Sequence, residues 1–233
     1  MTDPRTSREL IPTGPVEAAD ARVEVPGIAG QLWSETVVPE QPAAGDARVE
    51  AARLGIGAVS PGVATLLTFL AASTGARTAV EVGTGAGVSA LALLAGMTPD
   101  GVLTSVDIDG DHQRPARAAL TAAGIPPQRA RLIAGRALAV LPRLTDRAYD
   151  VVFLDGDPGE NADYLREALR LLRPGGLVVV HDALWGDAVA DPARRDPATV
   201  AARTLVADVL ADERLVAVVV PLGAGVLVAT LRG

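Results

Sequence analysis

From residue 77 onward the chain alternates two hydrophobic patterns. Short unbroken apolar runs, such as Val151-Val152-Phe153-Leu154 and Val178-Val179-Val180, read as strands buried on both faces, as in a parallel sheet covered by helices. Between them lie longer stretches with apolar residues at helical spacing. Strands are predicted over 78–82, 101–107, 130–134, 149–155 and 176–181, and helices over 88–95, 113–123, 138–143, 161–172 and 199–211. Two closing strands, 215–220 and 225–230, are joined only by Pro221-Leu222-Gly223-Ala224. That linker is too short for a parallel crossover, so the pair forms an antiparallel hairpin. The implied fold class is α/β, a Rossmann-like seven-stranded sheet, mostly parallel with a C-terminal antiparallel hairpin and helices on both faces.

Upstream of residue 77 the pattern is weaker. Residues 1–45 are rich in Pro, Gly, Ala and acids and are expected to be a flexible N-terminal arm, with 46–233 as one domain. Trp33 argues that the arm covers the active site or a partner subunit, because a large apolar ring usually finds a surface to cover. A helix is predicted over 47–55. A second begins at Ser60-Pro61, with Ser60 as N-cap and Pro61 at the first helical position, and runs to about residue 72.

Composition narrows the partners. The chain has 233 residues, enough for a large domain with a full core, and with only 3% aromatics that core must be built from Ala, Val and Leu. A net charge of −7 disfavours nucleic acid. There is no cysteine, hence no disulfide, thiolate zinc site or cysteine nucleophile. No apolar run reaches the ~18–20 residues of a membrane span. Met1 to Leu10 lacks the apolar segment of a secretory signal. A cytoplasmic enzyme with a small-molecule partner, and neither nucleic acid nor membrane, is the expectation.

The candidate chemistry begins at Ala79-Val80-Glu81-Val82-Gly83-Thr84-Gly85-Ala86-Gly87-Val88-Ser89. A strand ends in an acid, three alternate glycines allow a tight turn and close ligand approach, and a helix follows. The spacing overlaps with a dinucleotide fingerprint. Two carboxylates sharpen it. Asp107 ends the next strand, where an acid can accept both hydroxyls of a ribose. Glu81, just before the glycines, suits a cationic ligand better than an anionic pyrophosphate. S-adenosylmethionine carries a sulfonium, an ammonium and a ribose and no phosphate, so it matches this pocket better than a nicotinamide dinucleotide. Ser89 opens the helix, where the dipole favours a carboxylate.

Several ordered motifs resemble one family: Glu81-Val82-Gly83-Thr84-Gly85, Ser105-Val106-Asp107-Ile108-Asp109, Phe153-Leu154-Asp155-Gly156-Asp157, Leu172-Arg173-Pro174-Gly175-Gly176 and Leu184-Trp185-Gly186. Asp191-Pro192-Ala193-Arg194-Arg195-Asp196 and Pro221-Leu222-Gly223 join them. The chain resembles class I methyltransferases of the catechol and caffeoyl-CoA O-methyltransferase type from about residue 51 to its end. The resemblance implies that Val59 and the Gly83–Thr84 backbone line the methionine end of S-adenosylmethionine and that Ser89 bonds its carboxylate. Asp107 would hold the ribose, Ile108 the adenine face and Ala137 the adenine edge. A homodimer is also implied.

That family holds a divalent metal on an Asp after the fourth strand and an Asp-Asn pair after the fifth, beside a Lys that helps to deprotonate the acceptor. Asp155 matches the first ligand. His181-Asp182 stands in place of Asp-Asn, and Pro158 in place of the Lys. Asp155, His181 and Asp182 could hold Mn²⁺, Fe²⁺ or Zn²⁺ more readily than Mg²⁺, because imidazole suits those metals. Equally, His181 could act without metal as a general base, with Asp155 the other catalytic candidate. Asp155 and Asp157 would face the pocket mouth, while His112 reads as a surface residue. Arg194 and Arg195 fit a solvated loop, or would steer an anionic acceptor. The reading is an S-adenosylmethionine-dependent O-methyltransferase for a small hydroxylated acceptor, phenols included. The rivals are a protein that binds S-adenosylmethionine or S-adenosylhomocysteine without turnover, and a nicotinamide oxidoreductase, which Glu81 and the terminal hairpin disfavour.

Overall fold

The structure, a computed structural model, describes residues 27–232. Residues 1–26, with more than half of the expected arm, and Gly233 lie outside the described residues. In chain order the elements are α1 (Ile28–Thr36), α2 (Pro42–Leu54), α3 (Pro61–Ser73), β1 (Thr78–Val82), α4 (Val88–Gly96), β2 (Val102–Asp107), α5 (Gln113–Ala122), β3 (Ala130–Ala134), α6 (Ala137–Val140), β4 (Tyr149–Leu154), α7 (Asn161–Leu171), β5 (Leu172–His181), α8 (Pro197–Ala211), β6 (Leu215–Val220) and β7 (Val226–Leu231).

Among the described residues, seven strands form a single sheet in the order β3-β2-β1-β4-β5-β7-β6. The first five pair in parallel, and β7 runs antiparallel to both β5 and β6. The chain leaves β1 in one direction to make β2 and β3 and then crosses to β4 on the other side. That reversal opens a crevice at the carboxyl ends of β1 and β4. Successive strand residues point to opposite faces. Ala79, Leu103, Phe153 and Val179 therefore pack with Leu67 of α3 and Leu93 of α4. Val80, Val82, Val106 and Leu154 pack on the other face with Tyr164 and Leu171 of α7 and Leu205 of α8. The scarcity of aromatics is met by close backbone approach. A Cβ on Gly96 would lie 2.1 Å from the Thr68 carbonyl, so α3 and α4 touch main chain to main chain.

Elements before β1 differ from the expectation. Helix α2 starts at Pro42, whose fixed φ suits the first helical position, rather than at residue 47. Helix α3 begins as predicted, with the Ser60 hydroxyl accepting from the Val63 amide at 3.2 Å. The described part of the expected arm carries α1, which buries none of its own residues. Trp33 is 66% exposed there, so the described residues leave most of it uncovered. Helix α1 is fastened through Glu35. Its carboxylate accepts from the Ser60 hydroxyl (2.6 Å) and the Gly62 amide (2.9 Å) at the start of α3, and from the Gly223 amide (2.5 Å) in the β6–β7 turn. No described helix is long and apolar enough to cross a membrane.

The foot of β1 rests on Asp150. Its Oδ2 accepts from the Arg77 and Thr78 amides at 2.7 and 2.8 Å and from the Thr78 hydroxyl at 3.0 Å, while Oδ1 pairs with Arg173. Asp150→Ala strands two backbone donors at the central strand. The expected loss is about 2–4 kcal/mol of unfolding free energy, measured by urea denaturation.

Candidate functional site

At the carboxyl end of the sheet lies a cleft of about 650 Å³. Its floor is the turn after β1. Gly83, Gly85 and Gly87 all take positive φ (92°, 49° and 94°), a region that a Cβ disfavours. Space demands glycine as well. A Cβ on Gly83 would sit 2.2 Å from the Asp155 carbonyl, and one on Gly87 would sit 3.1 Å from the Ala116 Cα. The Gly83 amide donates to the Val106 carbonyl (2.8 Å) and the Asp155 amide to the Val82 carbonyl (2.9 Å). The ends of β2, β1 and β4 are thus stitched together at the cleft.

Asp107, at the end of β2, is turned inward. One carboxylate oxygen accepts from the Gly85 amide and the other from the Asp109 amide, each at 2.9 Å. Each oxygen retains acceptor capacity for a ligand hydroxyl. His112, expected at the surface, lines the same wall, with Nδ1 3.3 Å from Asp107 and Nε2 3.5 Å from Asp109. Ile108 stands 70% exposed at the rim, an apolar side chain without cover. Val59, Thr84, Ser89 and Ala137 line the cleft as well.

Glu81 requires a correction. It was expected to face the ligand, but it is fully buried behind the cleft wall. Its Oε2 accepts from the Ser105 hydroxyl (2.5 Å), and Ser105 bonds Thr84 Oγ1 (2.6 Å). Its Oε1 has no partner. Burial pushes its pKa up to about 8, against the pull of the Ser105 hydrogen bond, so at neutral pH it mainly holds its proton. The charge that faces the cleft comes from elsewhere. Asp107, Asp155, Asp157, Glu160 and Asp182 line it against the single guanidinium of Arg136 among the described residues. Five carboxylates against one cation repel a diphosphate and favour a positively charged ligand.

At the other end, Asp155 follows β4 and His181 closes β5. His181 Nδ1 lies 2.8 Å from Asp155 Oδ1 and 3.5 Å from Asp182 Oδ1. Burial of the ring opposes its charge, but the hydrogen bond and charge of Asp155, with the charge of Asp182, outweigh this and hold its pKa above the usual 6.5. Burial raises the Asp182 carboxyl, with His181 opposing and Asp155 adding to the rise. Asp182 adopts φ 56°, a left-handed conformation that Asp tolerates better than most residues. One donor atom from each of Asp155, His181 and Asp182 can be chosen so that all lie within 4.8 Å of one another. Two carboxylates and an imidazole are a donor set that fits a borderline divalent cation.

The cleft therefore gathers every expected site residue except Glu81. It also gathers His112, Arg136, Glu160 and Tyr164, which no motif marked. The Tyr164 hydroxyl donates to Glu160 Oε2 at 2.5 Å, and Arg136 pairs with the other oxygen of Glu160. Burial and the neighbouring Glu160 carboxylate hold the Tyr164 phenol well above the ordinary phenol range, so it remains a donor. The whole chain contains no lysine, so no ammonium group of a side chain can serve the reacting end.

The sequence model of a family described as O-methyltransferase matches residues 45–231. A Mycobacterium ulcerans protein named as an O-methyltransferase is 53% identical over 183 residues, covering 78% of this chain and 82% of that protein. One from Mycobacterium tuberculosis H37Rv is 50% identical over 200 residues, covering 85% and 89%. Among solved structures, a Corynebacterium glutamicum protein superposes with a TM-score of 0.82 at 33% identity, covering 88% of this chain and 96% of that one. The O-methyltransferase TomG of Streptomyces achromogenes, involved in tomaymycin synthesis and solved with S-adenosylmethionine, gives 0.79 at 28% identity with the same coverage. A Bacillus cereus O-methyltransferase solved with S-adenosylhomocysteine gives 0.78 at 25%, covering 88% and 97%.

The Glu81 environment makes a signed prediction. The unfolded carboxyl titrates near 4.5 and the folded one near about 8, so between these values the folded chain binds the extra proton and loses stability as pH rises. Glu81→Gln removes that titration. Its unfolding free energy, measured in urea at a series of pH values, is expected to gain on the wild type from pH 4.5 to about 8 and to run parallel above. A constant difference across that window contradicts the assignment.

Proposed function

The chain belongs to the O-methyltransferase family, and on that premise we propose that it methylates a hydroxyl of a small acceptor, phenols included, held beside His181. As an S-adenosylmethionine-dependent O-methyltransferase it draws its methyl group from that donor substrate. In this reading the backbone of Gly83–Thr84–Gly85, with Val59, takes the methionine end. Ser89, at the start of α4, bonds the donor carboxylate, where the helix dipole adds to the attraction. Asp107 holds the ribose hydroxyls, Ile108 covers one face of the adenine and Ala137 borders its edge. Asp155 faces the sulfonium side and Asp157 the cleft mouth. The observation that carries the assignment is the acidic lining of the cleft, which suits a ligand with two cationic centres and no phosphate.

Methyl transfer needs an acceptor oxygen that is aligned and stripped of its proton. The 2.8 Å contact between His181 Nδ1 and Asp155 supports a pair in which Asp155 fixes the ring and its tautomer. Nε2 is then the atom that takes the acceptor proton. The convergence of Asp155, His181 and Asp182 supports a second reading, in which these three hold Mn²⁺, Fe²⁺ or Zn²⁺. Such an ion, when bound, would lower the pKa of the acceptor hydroxyl. The exposed Ile28, Leu32 and Trp33 on α1 support a homodimer built on that face. A cytoplasmic location is part of the same proposal.

Calorimetry is expected to give sub-millimolar binding of S-adenosylmethionine and S-adenosylhomocysteine and none of a nicotinamide dinucleotide. In a labelled-methyl screen of catechols, flavonoids and hydroxylated natural-product precursors, His181→Ala should lower kcat by about 10²–10⁴-fold and leave donor affinity near wild type. A full rate in that variant removes His181 from the chemistry. A rate unchanged by a chelator favours the His181–Asp155 pair. Loss restored by Mn²⁺ favours the cation. Sedimentation at the mass of one chain, 23.8 kDa, removes the dimer.

A further inference from the structure

The donor reading gives the cleft a direction, and this inference rests on that reading. The transferred methyl must lie toward His181 and Asp155 and the ribose on Asp107. The base then lies on the far side of Asp107, toward the loop that follows β3. There the wall contains an ion pair that no local motif would suggest. Arg136 follows β3, and Glu160 ends a short 3-10 turn (Pro158–Glu160) after β4. In the sheet, β3 and β4 are separated by β2 and β1. The pair therefore bridges the base end of the cleft.

Glu160 is held from both sides. Arg136 engages Oε1 and the Tyr164 hydroxyl engages Oε2. Tyr164 is itself 4% exposed and wedged against Gly156, where an added Cβ would lie 2.9 Å from the ring. Each Glu160 oxygen keeps a lone-pair direction to spare, and the side chain remains 24% exposed in the cleft wall. The other carboxylates nearby shape turns. Asp107 braces the Gly85 and Asp109 amides, and Asp157 takes the Gly159 amide at 2.8 Å.

We propose that Glu160 is a specificity-determining residue of the donor site, its carboxylate accepting the exocyclic amine of adenine and so selecting adenine over a 6-oxo purine. Adenine offers a donor at C6. Hypoxanthine offers a carbonyl at the same point, and a carbonyl facing a carboxylate leaves two acceptors opposed without a proton between them. A site built to hydrogen-bond one group rejects the analogue that lacks it far more strongly than an apolar pocket does.

The test is calorimetry on the full chain with S-adenosylhomocysteine and S-inosylhomocysteine. The wild type is expected to prefer the adenine compound by at least about tenfold. In Glu160→Gln the amide can turn either its oxygen or its NH₂ toward the base, so the preference should shrink to within about threefold. Tyr164→Phe, which frees Glu160 on one side, should narrow the preference by about threefold or more. A Glu160→Gln variant with wild-type melting and an unchanged ratio overturns the proposal, as does a wild type that binds both compounds equally. A wild type that binds neither overturns the donor reading and this inference with it.

Discussion

The close passage of Gly83 beneath the Asp155 carbonyl is the constraint on which the site depends. A Cβ at that position would lie 2.2 Å from the carbonyl oxygen, far inside van der Waals contact. Only glycine lets the end of β1 pass this close to the residue that leaves β4. That approach places the glycine turn, Asp155 and, one strand further, His181 around a common cleft. The glycine turn and the His181–Asp155 pair are therefore coupled through backbone. A shift of β1 against β4 would move the glycine turn away from Asp155 and His181.

Behind that turn the polar groups form a graded set. Glu81 and Ser105 are fully buried, Thr84 nearly so, and Asp107 faces the cleft with both oxygens engaged by main-chain amides. The buried end is kept near neutral, because burial holds the Glu81 proton. Such an arrangement braces the turn without placing a desolvated charge in the core. The negative field that a sulfonium ligand requires then comes from the carboxylates that line the cleft.

The N-terminal half of the cleft mouth depends on a different device. Glu35 gathers the start of α3 and the β6–β7 turn onto one carboxylate. The turn is tied in its own way to the segment that follows β5, since the Ala183 and Leu184 amides donate to the Gly225 and Ala224 carbonyls at 3.0 Å. Helix α1 thus reaches the segment just after Asp182 through a relay of hydrogen bonds, while its apolar side chains Ile28, Leu32 and Trp33 remain exposed.

The sequence by itself determined the α/β class, the hairpin and most element bounds from β1 onward, because unbroken apolar runs, alternate glycines and a four-residue linker act locally. It also marked Asp107, Asp155, Ser89 and His181, since each sits at the end of a strand or the start of a helix, where the fold class alone places it in the crevice. Tertiary structure decided the rest. Glu81 lies two residues before Gly83, where the turn begins, yet which side of the wall it occupies depends on strand packing that no periodicity reports. Glu160 and Arg136 enter the cleft through a contact between segments distant in sequence, and His112 enters it because the loop after β2 folds back on Asp107 and Asp109. Glu35 meets Gly223 across nearly the whole chain. Local pattern carries the energetics of burial along a strand or helix, whereas a polar partner far along the sequence is set only when the sheet has assembled and brought the two together.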